Sequence, residues 1–228
     1  GRIPGDMPPY TMGGWMMEDI DVDQRAALWN ASIATMATLH RQDYQALGFN
    51  FLLETGKTPL KQQLDYWERY RDWALEGHPC PIAENALQWL QDNQPSNEPT
   101  ALCWGDSRLG NLIISDDCQS INAVLDWEMA VLGNPVQDLA WWNYHDRCFS
   151  EGLGMPRLEG LPSFEDTIVL WEKESGLSAE HYYYYSVFAG MRYGLIMSRV
   201  MLATGQPEQI ADNFVLSLLQ KVIEQGEP

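Results

Sequence analysis

The sequence predicts a mainly α domain with a small β-hairpin and strand cluster in its middle, an α+β arrangement. Three observations lead there. Before residue 93 and after residue 135, apolar residues recur at three- and four-residue intervals, with prolines and glycines at helix-start and helix-stop positions. Between these stretches, three short apolar runs are separated by Gly, Asp, Asn and Ser. Strands and helices do not alternate as a doubly wound parallel sheet requires, and strands are too few for a β-sandwich.

Taken in order, residues 1–21 open Gly1-Arg2-Ile3-Pro4-Gly5-Asp6-Met7-Pro8-Pro9-Tyr10 and read as an irregular linker entering from elsewhere. A helix is predicted over about 23–47, where Ala27, Leu28, Ala31, Ala34, Met36, Leu39 and His40 build one apolar face and Gly48 ends it. Pro59 starts a second, carrying Leu60, Leu64, Trp67, Tyr70, Trp73 and Ala74 and stopping at Gly77. Pro81 opens a third through Ile82, Ala86, Trp89 and Leu90, and 93–99 is a polar loop. Strands are predicted at 101–104, 112–114 and 121–125, the last two joined as a hairpin through Asp116, Asp117 and Ser120. Helices return at 135–147, 164–175, 181–203 and 207–224, with a loop rich in Gly and Pro over 148–162. The division that follows is a linker segment, 1–21, and a helical domain, 22–228.

Composition excludes several functions. Asp and Glu number 32 against 14 Lys and Arg, a net charge of -18, so a nucleic-acid partner would be repelled. Cys80, Cys103, Cys118 and Cys148 are widely spaced and form neither a zinc motif nor a disulfide framework, and they read as reduced thiols of a cytoplasmic protein. No run approaches 18 consecutive apolar residues, so no membrane partner is expected. His40, His78, His145 and His181 show no pairing at ligand spacing, and His40 on its apolar helix face reads as a core residue.

The densest polar signal lies in the strand cluster. Trp104-Gly105-Asp106-Ser107-Arg108-Leu109-Gly110-Asn111 is a loop between two apolar runs, and Asp126 ends the third run in Leu125-Asp126-Trp127-Glu128. Pairing of the hairpin brings Asn111 and Asp126 to the same open end, with Asp106 one loop away. Two carboxylates and an amide oxygen are hard ligands suited to magnesium. Phosphoryl transfer needs a metal to neutralise phosphate charge and a carboxylate to orient the acceptor hydroxyl. Asp106 and Asn111 also have the D-x-x-x-x-N spacing of a kinase catalytic loop, and Asp126 falls where a second metal-binding Asp would follow. Arg108 is close enough to Asp106 to reach a transferring phosphate. Glu128 could approach metal or substrate, or serve equally as a loop carboxylate.

These segments, followed by Gly133-Asn134-Pro135-Val136-Gln137-Asp138-Leu139-Ala140-Trp141-Trp142, resemble the core signature of the aminoglycoside phosphotransferase and choline-kinase-like family. The resemblance is closest to the branch that includes the kinase-like domain of acyl-CoA-dehydrogenase fusion proteins, and it covers nearly the whole chain. It implies the C-terminal lobe of a protein-kinase-like fold, using ATP and Mg2+ to phosphorylate a hydroxyl of a small molecule. Asp106 would be the catalytic base, in loop 104–111. Asn111 and Asp126 would hold the metal on the nucleotide phosphates, Asp126 within loop 126–128. Asp138 would brace the catalytic loop.

Two departures from the family pattern stand out. Trp104 replaces the usual His before Gly-Asp, and a bulky aromatic can support the loop by packing. No glycine-rich phosphate loop, strand-borne Lys or partner Glu precedes the catalytic loop. The chain is therefore expected to be a catalytic lobe that is inactive without an ATP-gripping N-terminal lobe. A homodimer is the expected way to cover the face so exposed. A non-catalytic, ligand- or protein-binding remnant and a magnesium-dependent hydrolase are the competing readings.

Overall fold

Side chains of Asp21, Thr58, Ser163 and Asn213 cap the starts of four α-helices in the computed structural model, which describes residues 3–8 and 13–226. Parts of the expected linker (1, 2 and 9–12) and the last two residues lie outside the described residues. The described part of that linker is not wholly irregular. It contains a short helix, α1 (Trp15–Glu18), and Asp6 forms a backbone bridge to Ile114. Helix α2 (Val22–His40) starts at a capping box, in which Asp21 accepts from the Gln24 N–H and the Gln24 side chain accepts from the Asp21 N–H. It ends well before residue 47, because the Asp43 carboxylate captures the N–H groups of Gln45 and Ala46 and so turns the chain.

Helices α3 (Pro59–Leu75) and α4 (Pro81–Asp92) both begin with proline, as the sequence predicts. Helix α5 (Val136–Phe149) follows the strand cluster. Helix α6 (Phe164–Ser175) is capped by Ser163 and closed by Gly176 in the left-handed region, and α7 (Tyr182–Ala203) follows it. The last predicted helix divides in two. A single 3-10 turn, Pro207–Gln209, precedes α8 (Phe214–Gln225), which Asn213 caps by accepting from Val215 and Leu216.

The cluster holds four strands among the described residues where three are predicted. β2 (Leu112–Ile114) and β3 (Ile121–Val124) form the expected antiparallel hairpin, with Leu112 opposite Val124. β1 (Ala101–Cys103) pairs instead with an unpredicted strand, β4 (Val131–Gly133), setting Cys103 opposite Val131. The two ribbons flank the loop 104–111.

α7 is the central helix, with α3, α4, α5 and α8 packed on it, while α2 lies on α6. A Cβ at Gly190 would come within 2.8 Å of both Leu219 and Tyr144, so glycine lets α5 and α8 close on α7. Trp29, Trp104, Trp141, Trp171, Tyr144 and Phe188 fill the core. All four cysteines are free and buried, and no described helix is long and apolar enough to cross a membrane.

Candidate active site

The loop that follows β1 is held from behind by one buried carboxylate. Asp138, in the first turn of α5 and fully buried, accepts from the Trp104 N–H at 2.6 Å and the Gly105 N–H at 2.9 Å. Its backbone carbonyl accepts from Ser107 Oγ at 2.7 Å. His40 completes the shell at 3.0 Å from Asp138 Oδ2. The helix N-terminus favours negative charge at that position, and three N–H donors offset the cost of burying it. This is the bracing role expected of Asp138, and His40 is the satisfied core residue expected of it.

Gly105 is left-handed at φ 90°, and a Cβ there would meet the Met129 carbonyl oxygen at 2.0 Å. Only glycine permits this path into Asp106. Trp104 supports the loop through more than packing. Its indole N–H donates to the Leu125 carbonyl at 2.7 Å, tying the loop to the strand end that carries Asp126.

Asp106 sits at the cleft with both oxygens engaged. Oδ1 accepts from Trp141 Nε1 at 2.9 Å, and Oδ2 accepts from Arg108 Nε at 3.0 Å and Asn111 Nδ2 at 2.7 Å. Burial alone would raise its pKa. The adjacent Arg108 guanidinium outweighs that and holds the carboxyl below its usual range. Asp106 is therefore ionised at neutral pH. His145, one turn beyond Trp141 on α5, is driven down to about 4 by burial and is neutral there.

Asn111 and Asp126 meet through the hairpin. The Leu125 N–H donates to the Asn111 carbonyl at 2.8 Å, continuing the ladder, and Asp126 follows in the left-handed region at φ 60°. The Asn111 amide nitrogen is committed to Asp106, reaching both its carboxylate and its carbonyl. Its oxygen therefore points elsewhere and accepts no hydrogen bond among the described residues. The exposed Asp126 carboxylate also accepts none among the described residues. Two unclaimed oxygen donors on adjoining strand ends fit a hard divalent cation.

A cleft of about 630 Å³ joins Asp106 and Asp126. Asp106, Arg108, Asp126 and Glu128 line it, with Tyr66, Trp67 and Tyr70 of α3 as an aromatic wall. Asn111 is buried behind Asp106 and reaches the site through it. Arg108 lines the cleft too, but its Nε serves Asp106 rather than standing ready for phosphate.

Sequence reasoning missed Trp141, His145, Arg192 and Tyr193, which also line the cleft. The four-residue step from Trp141 to His145 beyond the Asp138 turn was a usable signal. So was a lone charge, Arg192, within the apolar stretch 187–195 of α7.

Acidic and amide side chains gathered at strand ends, inside a helical lobe, are the architecture of a kinase-like phosphotransferase. Comparison with known proteins agrees. The chain belongs to the phosphotransferase enzyme family, whose family model matches residues 10–159. It is 28% identical over 221 residues to acyl-CoA dehydrogenase family member 11 of Pongo abelii, covering 89% of this chain and 27% of that protein. The chain thus spans about a quarter of the length of this relative. Among solved structures it is similar to a candidate aminoglycoside phosphotransferase from Ralstonia eutropha, with a TM-score of 0.80 at 19% identity, covering 100% of this chain and 72% of the other. It also resembles a choline kinase from Cryptosporidium parvum, with a TM-score of 0.59 at 11% identity, covering 96% and 69%. At these identities the two structures speak for the fold alone.

Proposed function

We propose that this chain is the catalytic lobe of an ATP- and magnesium-dependent kinase that phosphorylates a hydroxyl of a small molecule. The supporting observation is that Asp106, Arg108 and Asp126 share one cleft, with the Asn111 amide turned by Asp106 so that its oxygen is left over. Asp126 and Asn111 would hold the magnesium ion, which when bound neutralises charge on the nucleotide phosphates.

The remaining work falls to side chains. Asp106 orients the acceptor hydroxyl and takes its proton as the phosphoryl group arrives. Oδ2 already accepts two hydrogen bonds and Oδ1 only one, so the proton goes to Oδ1. Arg108 keeps the carboxylate ionised beforehand. Asp138 and His40 hold the loop still while this happens.

The test is acceptor-dependent ADP release by the complete gene product with ATP and magnesium. Amino alcohols, amino sugars and hydroxyacyl compounds are the acceptors to screen. One acceptor class should stimulate release, and Asp106→Asn should abolish it. Release of ADP that ignores every acceptor, or that survives Asp106→Asn, would overturn the reading.

A further inference from the structure

Arg192 lies in the middle of α7 at 2% exposure, a cation inside the protein. Its Nη2 donates to the Gly105 carbonyl at 3.0 Å, while Nε and Nη1 have no hydrogen-bond partner among the described residues. No carboxylate forms an ion pair with it among the described residues. Aromatic faces hold it instead. Its Cζ lies 4.4 Å from the Trp141 ring centroid and 5.2 Å from those of Trp67 and Phe188. An arginine so buried, with one hydrogen bond, is a poor choice on stability grounds, because desolvating the charge is costly and an apolar side chain would suit the same aromatic surroundings.

What Arg192 touches explains its presence. Gly105 immediately precedes Asp106, and its peptide groups are gripped from both sides. Asp138 accepts from the N–H and Arg192 donates to the carbonyl. Trp141, whose ring carries the guanidinium, donates its own N–H to Asp106 Oδ1. Both contacts therefore lead to the same carboxylate.

We propose that Arg192 is a positioning residue that fixes Asp106 by two routes, the Gly105 carbonyl and the indole of Trp141. The inference rests on reading Asp106 as the base of a phosphotransferase. Asp138 and His40 steady the loop from behind, and Arg192 steadies it from the side of α7, between two walls of the cleft. A displacement of the base by about 1 Å is enough to cost two orders of magnitude in rate without weakening substrate binding.

The test has one arm that needs activity and one that does not. In the complete gene product, Arg192→Met should lower kcat about a hundredfold while both KM values stay within about threefold, the pattern of a misplaced catalytic group. Trp141→Phe keeps a ring but removes the N–H, and it should also lower kcat without raising KM. The double variant should be little worse than Arg192→Met alone, since both act on one carboxylate.

The second arm follows hydrogen–deuterium exchange of the Trp141 indole N–H by NMR, its signal assigned by loss in Trp141→Phe. Arg192→Met should speed that exchange at least about tenfold relative to the Trp29 indole N–H, which bonds to Thr167 Oγ1 between α2 and α6. Should Arg192→Met fail to fold, Arg192→Lys carries the same test, because an ammonium keeps the charge but cannot lie flat on the ring. Unchanged Trp141 exchange would overturn the proposal. So would an effect confined to acceptor KM, which would make Arg192 a substrate ligand instead. If the unaltered enzyme transfers no phosphate to any acceptor, the phosphotransfer reading fails, and the exchange arm still decides whether Arg192 holds Trp141.

Discussion

The imidazole of His40 donates from Nε2 to Oδ2 of Asp138 at 3.0 Å, linking helices α2 and α5 at the centre of the lobe. Its direction is set from the other side. Trp171 donates its indole N–H to His40 Nδ1 at 3.0 Å, so the ring must carry its proton on Nε2. A buried chain therefore runs from α6 through Trp171, His40 and Asp138 to the backbone beside Asp106. His40→Ala would leave the Trp171 N–H unpaired, remove a donor from a buried carboxylate and open a cavity. The expected cost is about 3 kcal/mol. It should appear in urea unfolding as a lower midpoint with an unchanged m-value, and a loss under about 1 kcal/mol would contradict this account of the chain.

Gly105 and Gly154 make a matched pair of tests. Both have positive φ, but a Cβ at Gly105 would strike the Met129 carbonyl, whereas nothing lies within 4 Å of one at Gly154. Gly154→Ala should cost about 1 kcal/mol from backbone strain alone. Gly105→Ala should cost well over about 2 kcal/mol, or force the loop out of place and remove activity. Thermal unfolding of the two variants side by side checks this. Equal melting temperatures would mean that the Met129 approach does not constrain the loop.

His145 gives stability a pH dependence. Burial depresses its pKa from 6.5 to about 4, although the charge of Asp106 works in the opposite direction. Between those values the unfolded chain binds a proton that the folded chain excludes. Its contribution is therefore fully present above pH 6.5 and is lost as pH falls toward 4, up to about 3 kcal/mol. The depressed Asp106 carboxyl acts in the same direction but only at more acid pH, below the usual carboxylate range. Denaturation measured at steps from pH 7 to pH 4 should show a smaller loss for His145→Phe than for the unaltered protein. Parallel curves would show that His145 is not held neutral by the fold.

Much of the candidate site was legible because its residues sit on sharp local features. Asp106 and Asn111 bracket one loop, and Asp126 ends an apolar run, so a hairpin alone brings two of them together. Pro59, Pro81 and Gly77 likewise marked helix ends through backbone chemistry that acts within a few residues. What stayed hidden depends on distant partners. β4 has three residues, and its partner β1 lies 30 positions away, so no local alternation announced it. The end of α2 turned on which N–H groups the Asp43 side chain would capture, a contest that apolar periodicity does not record. Arg192 reads as one charge in an apolar helix until the fold sets it against Gly105 and Trp141, 87 and 51 residues earlier in the chain.

The central claim is that Asp126, with Asn111, holds a divalent cation on nucleotide phosphates while Asp106 serves the acceptor. Calorimetric titration of the complete gene product with ATP, with and without magnesium, tests it most directly. Magnesium-dependent ATP binding should disappear in Asp126→Ala and persist in Asp106→Asn, even though the second variant no longer turns over. Magnesium-dependent binding that survives in Asp126→Ala at unchanged affinity would contradict the assignment.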